Sequence, residues 1–284
     1  MQKRPPLLIA AATTAALTLA AIVVAAVVVY GGFYDVASTR PHWQITHTLL
    51  EFAMRRSVRR HAHDIREPAL ADAGMALRGA ACFRDKCVQC HGGPGVAPGD
   101  IGKSMQPIPG ALLDPTPVWR PRELYWITRN GIKMSGMPAW EYRLTESELW
   151  DVVAFLRRLP ELKATEYAQW LQQAPPGPAC GRGPDAPPAA GAADVLRGRH
   201  ALQQYACHAC HAIPGVTSSS PQVGPSLQGV GSRQVLAGTV VNTPENLVLW
   251  LTQTQKMKPG TAMPQMGVAE QDARDMAAYL RTLR

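Results

Sequence analysis

The chain has 284 residues and a formal net charge of +8, enough length for one large domain or two small ones. Its 29 Lys and Arg residues are spread along the sequence, with no basic block and no nucleic-acid motif. The charge therefore argues against a nucleic-acid-binding class and for a basic surface that meets acidic partners or anionic lipid headgroups.

Lys3 and Arg4 precede an almost purely apolar run from Leu7 to Tyr30, and no further charge occurs until Asp35. About 20 apolar residues span a bilayer, whereas the core of a cleaved secretory signal is only ~7–15 residues long. Residues 1–34 read as a retained transmembrane helix, a membrane anchor or signal-anchor, with cleavage as the alternative. Only Arg40 lies close after the span, so the positive-inside rule puts the N-terminus in the cytoplasm and the rest on the periplasmic side of a bacterial inner membrane.

Residues 35–69 form a basic juxtamembrane segment. Trp43, Ile45, Leu49, Leu50, Phe52, Met54 and Val58 alternate with Arg55, Arg56, Arg59, Arg60 and Arg66, the pattern of a basic amphipathic helix. It reads as a piece separate from the domains that follow, lying on a membrane or docking on a membrane-protein partner, or as a solvated stalk. His42, His47, His61 and His63 also fall near it. Histidines scattered over a polar face are commoner than a metal site of this kind.

A pattern begins near Leu70 and recurs after Asp194. In residues 70–165, a helical stretch to Arg84 leads into Cys87-Val88-Gln89-Cys90-His91 and a Gly/Pro-rich loop. Pro121 opens a short helix that Asn130-Gly131 ends. Ser135-Gly136-Met137-Pro138-Ala139-Trp140 follows. Thr145 and Glu148 have capping-box spacing, and Leu149, Val152, Val153 and Leu156 lie on one face of a closing helix stopped by Pro160. Residues 166–193, rich in Pro, Gly and Ala, read as an extended linker.

Residues 194–284 repeat the order: a helix over about Val195–Tyr205, then Cys207-His208-Ala209-Cys210-His211, then a loop holding Gly224-Pro225-Ser226-Leu227. Thr243-Pro244-Glu245 caps a helix, Thr261-Ala262-Met263-Pro264 follows, and Ala273, Met276, Ala277 and Leu280 line a last helix.

Cys-x-x-Cys-His is the attachment pattern of c-type haem. Two thiols reach the two vinyl groups of one porphyrin, and the adjacent imidazole turns onto the iron. A thioredoxin-like pair or a zinc half-site would leave the histidine unexplained twice over. The motifs predict two covalently bound haem c groups, held by Cys87, Cys90, Cys207 and Cys210, with His91 and His211 on the iron. The spare thiols, Cys82 and Cys180, pair as a disulfide in an oxidising compartment, or else Cys82 is simply buried on its helix.

In the order helix, haem motif, loop, helix, Met-Pro loop, helix, the chain resembles two tandem class I cytochrome c domains. The resemblance covers about residues 70–165 and 194–284. It implies an all-α fold in which an N-terminal transmembrane helix precedes two domains joined by a Pro/Gly-rich linker. In each domain, first and last helices cross and the haem fills a core that is small at ~90 residues.

The resemblance makes Met137 and Met263 the sixth iron ligands. Proline holds the preceding residue extended, as a loop over the haem face requires. Met134 and Met105 in the first domain, and Met257 and Met266 in the second, compete with them or simply fill gaps. By the same resemblance the Pro225 carbonyl orients His211, while Pro98, Pro107 and Pro109 leave the first-domain equivalent open. Trp140 packs near the haem or belongs to the plain core, and His208 is expected to be exposed.

The function implied is a membrane-anchored di-haem electron carrier, not an enzyme. It transfers single electrons in a respiratory chain between a quinol-oxidising complex or periplasmic dehydrogenase and a terminal oxidase. The alternative is a permanent cytochrome subunit of a dehydrogenase or oxidase. A di-haem peroxidase needs an open iron, against which both Met-Pro loops argue.

Overall fold

The computed structural model describes residues 6–113, 118–174, 180–181, 192–218 and 223–284. The chain divides into two units, Met1–Gly181 and Arg182–Arg284. Both are mainly helical, as their periodic patterns require. The first holds α1 (Pro6–Tyr30), α2 (Gln44–His61), α3 (Ala73–Lys86), α4 (Val88–His91), α5 (Asp100–Lys103), α6 (Pro121–Asn130), α7 (Glu146–Arg158) and α8 (Ala164–Gln173). The second holds α9 (Val195–Gln204), α10 (Pro244–Thr252), α11 (Thr254–Met257) and α12 (Glu270–Thr282).

Helix α1 has no buried residue and is long and apolar enough to cross a membrane. Its 25 residues reach about 37 Å at ~1.5 Å each. The hydroxyls of Thr13, Thr14 and Thr18 donate to the carbonyls of Ile9, Ala10 and Thr14, each at 2.9 Å. No polar group of these side chains is then left for lipid to solvate. Lys3 and Arg4, which set the expected orientation, lie outside the described residues.

Segment 35–69, expected to stand apart, is docked on the first domain by the C-terminal half of α2. Val58 and Ala62 are fully buried, His61 stacks on Trp126 of α6 at 5.6 Å, and the Glu67 carboxylate accepts from the Arg122 amide at 3.3 Å.

The centre of each domain is a helix crossing. α3 packs on α7 and α9 on α12, and at each crossing an Arg-Gly pair on the first helix meets an aspartate on the last. Arg78 donates twice to Asp151, at 2.8 and 2.9 Å. Arg197 donates twice to Asp275, at 2.8 and 3.0 Å. A Cβ on Gly79 would overlap the Asp151 carbonyl oxygen, and one on Gly198 that of Asp275, so the backbones touch and only glycine fits. Around the first crossing, Phe83 packs on Phe155 at 5.1 Å and Tyr125 on Trp150 at 4.2 Å.

Local signals form as their chemistry dictates. Thr145 and Glu148 close a reciprocal capping box at the start of α7; Thr243 caps α10, which opens on Pro244; Leu149, Val152, Val153 and Leu156 are all buried. Two further features depart from the sequence expectation. The second domain contains a short antiparallel hairpin, β1 (Val235–Leu236) and β2 (Val240–Val241), inside an otherwise helical fold. Residues 166–193, expected to be linker, open with most of α8, which packs on α3 and buries Tyr167 to 2% exposure. Cys180 is disulfide-bonded to Cys82 of α3, which ties the chain to the first domain as far as Gly181. Most of the Pro/Gly-rich part beyond Gln173 lies outside the described residues.

Replacing Gly79 or Gly198 by alanine should push the crossing helices apart and cost about 1–3 kcal/mol, the usual range for overpacking, despite alanine's better helix propensity. Thermal unfolding of the purified protein measures this. Asp275 adds a pH dependence. Burial alone would push its carboxyl up, but Arg197, the Asp194 amide and Gln271 outweigh burial and hold it below the ordinary range. A lowered folded-state pKa gives stability that is complete above the unfolded value, about 3.9, and lost as pH falls through the folded one. The second domain should therefore lose stability below about pH 4, and Asp275→Asn, less stable at neutral pH, should flatten that acid limb in circular dichroism.

Candidate haem-binding sites

Each haem motif is one tight turn at the end of its domain's first helix. Cys87 is the C-cap of α3, and its carbonyl accepts from the Cys90 amide at 3.1 Å and the His91 amide at 2.9 Å. In the second domain the Cys207 carbonyl accepts from Cys210 at 3.2 Å and His211 at 3.0 Å. Both thiols and the imidazole of each motif thus come from one turn. All four cysteines are free and partly exposed.

Each imidazole is held from behind. The Nδ1 of His211 lies 2.7 Å from the Pro225 carbonyl oxygen, and the Nδ1 of His91 lies 2.8 Å from that of Gly110. An Nδ1–H donated to a carbonyl leaves the Nε2 lone pair for a metal. The sequence leaves the first-domain partner open among Pro98, Pro107 and Pro109; the structure supplies Gly110, the residue after the last of them. A Cβ on Gly224 would lie 2.6 Å from the His211 ring, so the loop passes directly against the imidazole.

Burial pushes the Cys87 thiol up to about 12, with Cys90 adding to it, and burial raises Cys207 too. A thioredoxin-like pair needs a lowered thiol pKa. Among the described residues, no group of three or more His, Cys, Asp or Glu side chains could hold a metal ion.

The Met loops fold back on the elements before them. The Ile132 amide donates to the Met137 carbonyl at 3.2 Å, and the Met137 amide to the Ser135 hydroxyl at 3.3 Å. Trp140 packs against the first core. In the second domain the Gln255 amide nitrogen donates to the carbonyls of Thr261 at 2.9 Å and Met263 at 2.8 Å, and its oxygen accepts from Gly260. Gln255 is a clamp that no sequence motif announced. Met137 and Met263 are half-buried, and Met263 packs on the second core. Met134 is 99% exposed and Met266 41% exposed. Met257 is half-buried, and the Met105 side chain rests against Gly136 beside Met137. His208, expected to be exposed, is half-buried, with its Nδ1 out of reach of solvent and of any hydrogen-bond partner.

Residues 74–156 match the family model described as cytochrome c oxidase, cbb3-type, subunit III, and residues 195–284 match that of cytochrome c. The chain is a tandem of two cytochrome c domains. A curated relative, cytochrome c oxidase subunit 2 of Alkalihalophilus pseudofirmus, is 35% identical over 89 residues, covering 31% of this chain and 25% of the relative. The chain thus spans about a quarter of that relative's length. A chain of the Kuenenia stuttgartiensis reducing HAO-like protein complex matches at 19% identity and a TM-score of 0.27, over 77% of this chain and 99% of its own.

Tandem cytochrome c domains imply haem c binding and electron transfer, and the residues present fit that group. Each site pairs two free thiols with an imidazole whose Nδ1 is already tied to a carbonyl. With haem held at both motifs, Gly224→Ala should displace the His211 ring and alter the spectrum of the second site while leaving that of the first unchanged. Resonance Raman spectra of the full chain test this.

Proposed function

We propose that this chain is a membrane-anchored di-haem c-type cytochrome that carries single electrons on the periplasmic side of a bacterial inner membrane, between a quinol-oxidising complex or dehydrogenase and a terminal oxidase. The observation that carries the reading is the duplicated motif, with a carbonyl fixing the imidazole in both copies at 2.8 and 2.7 Å. Cys87, Cys90, Cys207 and Cys210 would hold two haem c groups through thioethers, and His91 with Met137, and His211 with Met263, are the side chains that would ligate the two irons. The haem iron supplies the chemistry, a one-electron ferric–ferrous couple whose potential methionine ligation raises.

The protein's own residues hold ligands in place. The Gly110 and Pro225 carbonyls fix the imidazole rings, and Ser135 and Gln255 brace the Met loops. Residues 1–34 keep the carrier beside its membrane partners, which raises the effective concentration of each encounter. No substrate is transformed at a closed iron.

A second reading, permanent subunit of an oxidase or dehydrogenase, draws support from the oxidase subunits named in the matched family model and in the curated relative. A stoichiometric partner retained after mild detergent extraction would favour it; a lone cytochrome favours the mobile carrier. The ligand assignment has its own test in carbon monoxide titration of the reduced protein. The wild type should not bind the gas, and Met137→Ala and Met263→Ala should each open one haem to it. Carbon monoxide binding by the wild type would reopen the peroxidase reading.

A further inference from the structure

One face of α2 is packed on the first domain through Val58 and Ala62. The opposite face changes character along the helix. Its first half exposes apolar side chains, Ile45 at 77%, Leu49 at 66% and Phe52 at 58%. Its second half exposes Arg56, Arg59 and Arg60, and these arginines, with His61, His63 and Asp64, line an open hollow. An exposed face that is apolar at one end and basic at the other suits a helix meeting a bilayer interface obliquely, its first turns reaching the acyl boundary and its later cations lying among headgroup phosphates.

The connection to α1 points the same way. The segment between Tyr30 and Gln44 carries Phe33 at 73% exposure and Trp43 at 67%, and Trp43 packs edge-on against Tyr34 at 5.9 Å. Trp and Tyr collect where a span leaves the hydrocarbon. These aromatics follow the one helix among the described residues long and apolar enough to cross a membrane. The exposed face of α2 is thus joined to the bilayer by a short aromatic segment, and its arginines complement anionic lipid.

We propose that α2 is an interfacial helix that binds the surface of an anionic phospholipid membrane through Ile45, Leu49 and Phe52 and through Arg56, Arg59 and Arg60. Since α2 is seated on the first domain through Val58 and Ala62, with His61 at its end stacked on Trp126 of α6 and Glu67 in the following segment bound to the Arg122 amide, that binding would orient the first cytochrome domain on the membrane. The inference rests on the reading of α1 as a retained anchor.

Photocrosslinking of the full-length chain tests both separately. A photoreactive phenylalanine analogue is placed at Leu49, or at Val23 of α1 as reference, and the chain is reconstituted into phosphatidylcholine vesicles with or without phosphatidylglycerol. Lipid adducts at both positions, those at Leu49 falling several-fold without phosphatidylglycerol or in an Arg56→Gln/Arg59→Gln/Arg60→Gln chain, are the expected result. No adduct at Val23 overturns the anchor, and the inference with it. Adducts at Val23 but none at Leu49 overturn the inference alone, as does a Leu49 adduct yield indifferent to both phosphatidylglycerol and the arginines. In native membranes, a protein adduct at Leu49 in place of lipid would overturn it in favour of a docked partner.

Discussion

The fold depends on the backbone contact between first and last helices, at Gly79 against Asp151 and at Gly198 against Asp275. A helix pair this close needs a residue without a Cβ on one side, and the carboxylate of the facing aspartate is buried by the same approach. Burying a carboxylate is costly unless it is paired and hydrogen-bonded. The arginine preceding each glycine meets that requirement with a bidentate bond, and its own side chain remains exposed at 60% and 37%. Crossing and ion pair are therefore one device, built twice. Removing the aspartate alone would leave the close approach without its polar anchor, and removing the glycine would leave the anchor out of reach.

From that crossing the site geometry follows. The first helix is pinned by its glycine, so its C-terminal end is fixed, and the haem motif begins there: Cys87 directly caps α3, and Cys207 follows α9 after a short turn through Tyr205 and a left-handed Ala206. The turn then sets two thiols and an imidazole by backbone hydrogen bonds alone, and the next loop returns to give the imidazole a carbonyl. Beyond the crossing itself, these steps use only backbone hydrogen bonds and one imidazole–carbonyl contact with the loop that follows the motif. That explains how two copies with little similarity outside the motifs can reach the same arrangement.

Much of this was legible in the sequence because the chemistry constrains residue type. Thioether attachment demands cysteines at fixed spacing, a helix start favours Thr with Glu three residues on, and a buried helix face demands apolar residues at i, i+3, i+4 and i+7. What was illegible rests on atoms that every residue has, or on pairs far apart in sequence. The Gly110 carbonyl that orients His91 could belong to any residue. Gln255 looks like one more polar residue on a short helix until its amide reaches the Met263 loop. The Arg-Gly pair was visible twice, at Arg78-Gly79 and Arg197-Gly198, but its meaning lies in an aspartate 73 and 78 residues away. Helix α8 was hidden by its neighbourhood. The prolines after Gln173 make the whole stretch read as linker, although Tyr167, Trp170 and Leu171 have helical spacing and pack on the first core.

The two domains solve the same size problem unequally. A core of ~90 residues buries too little apolar surface to be robust alone. Among the described residues, the second domain adds to it a short hairpin and the Gln255 clamp. The first adds α8 across α3, α2 against α6 and a disulfide joining residues 98 apart in sequence. In chain-entropy terms a bridge closing so long a loop is worth about 4–5 kcal/mol at most, and it forms only where thiols are oxidised. All these additions fall in the half of the chain that carries the apolar helix α1. The first domain is therefore braced by segments from before α3 and after α7, whereas the second closes mainly on its own crossing.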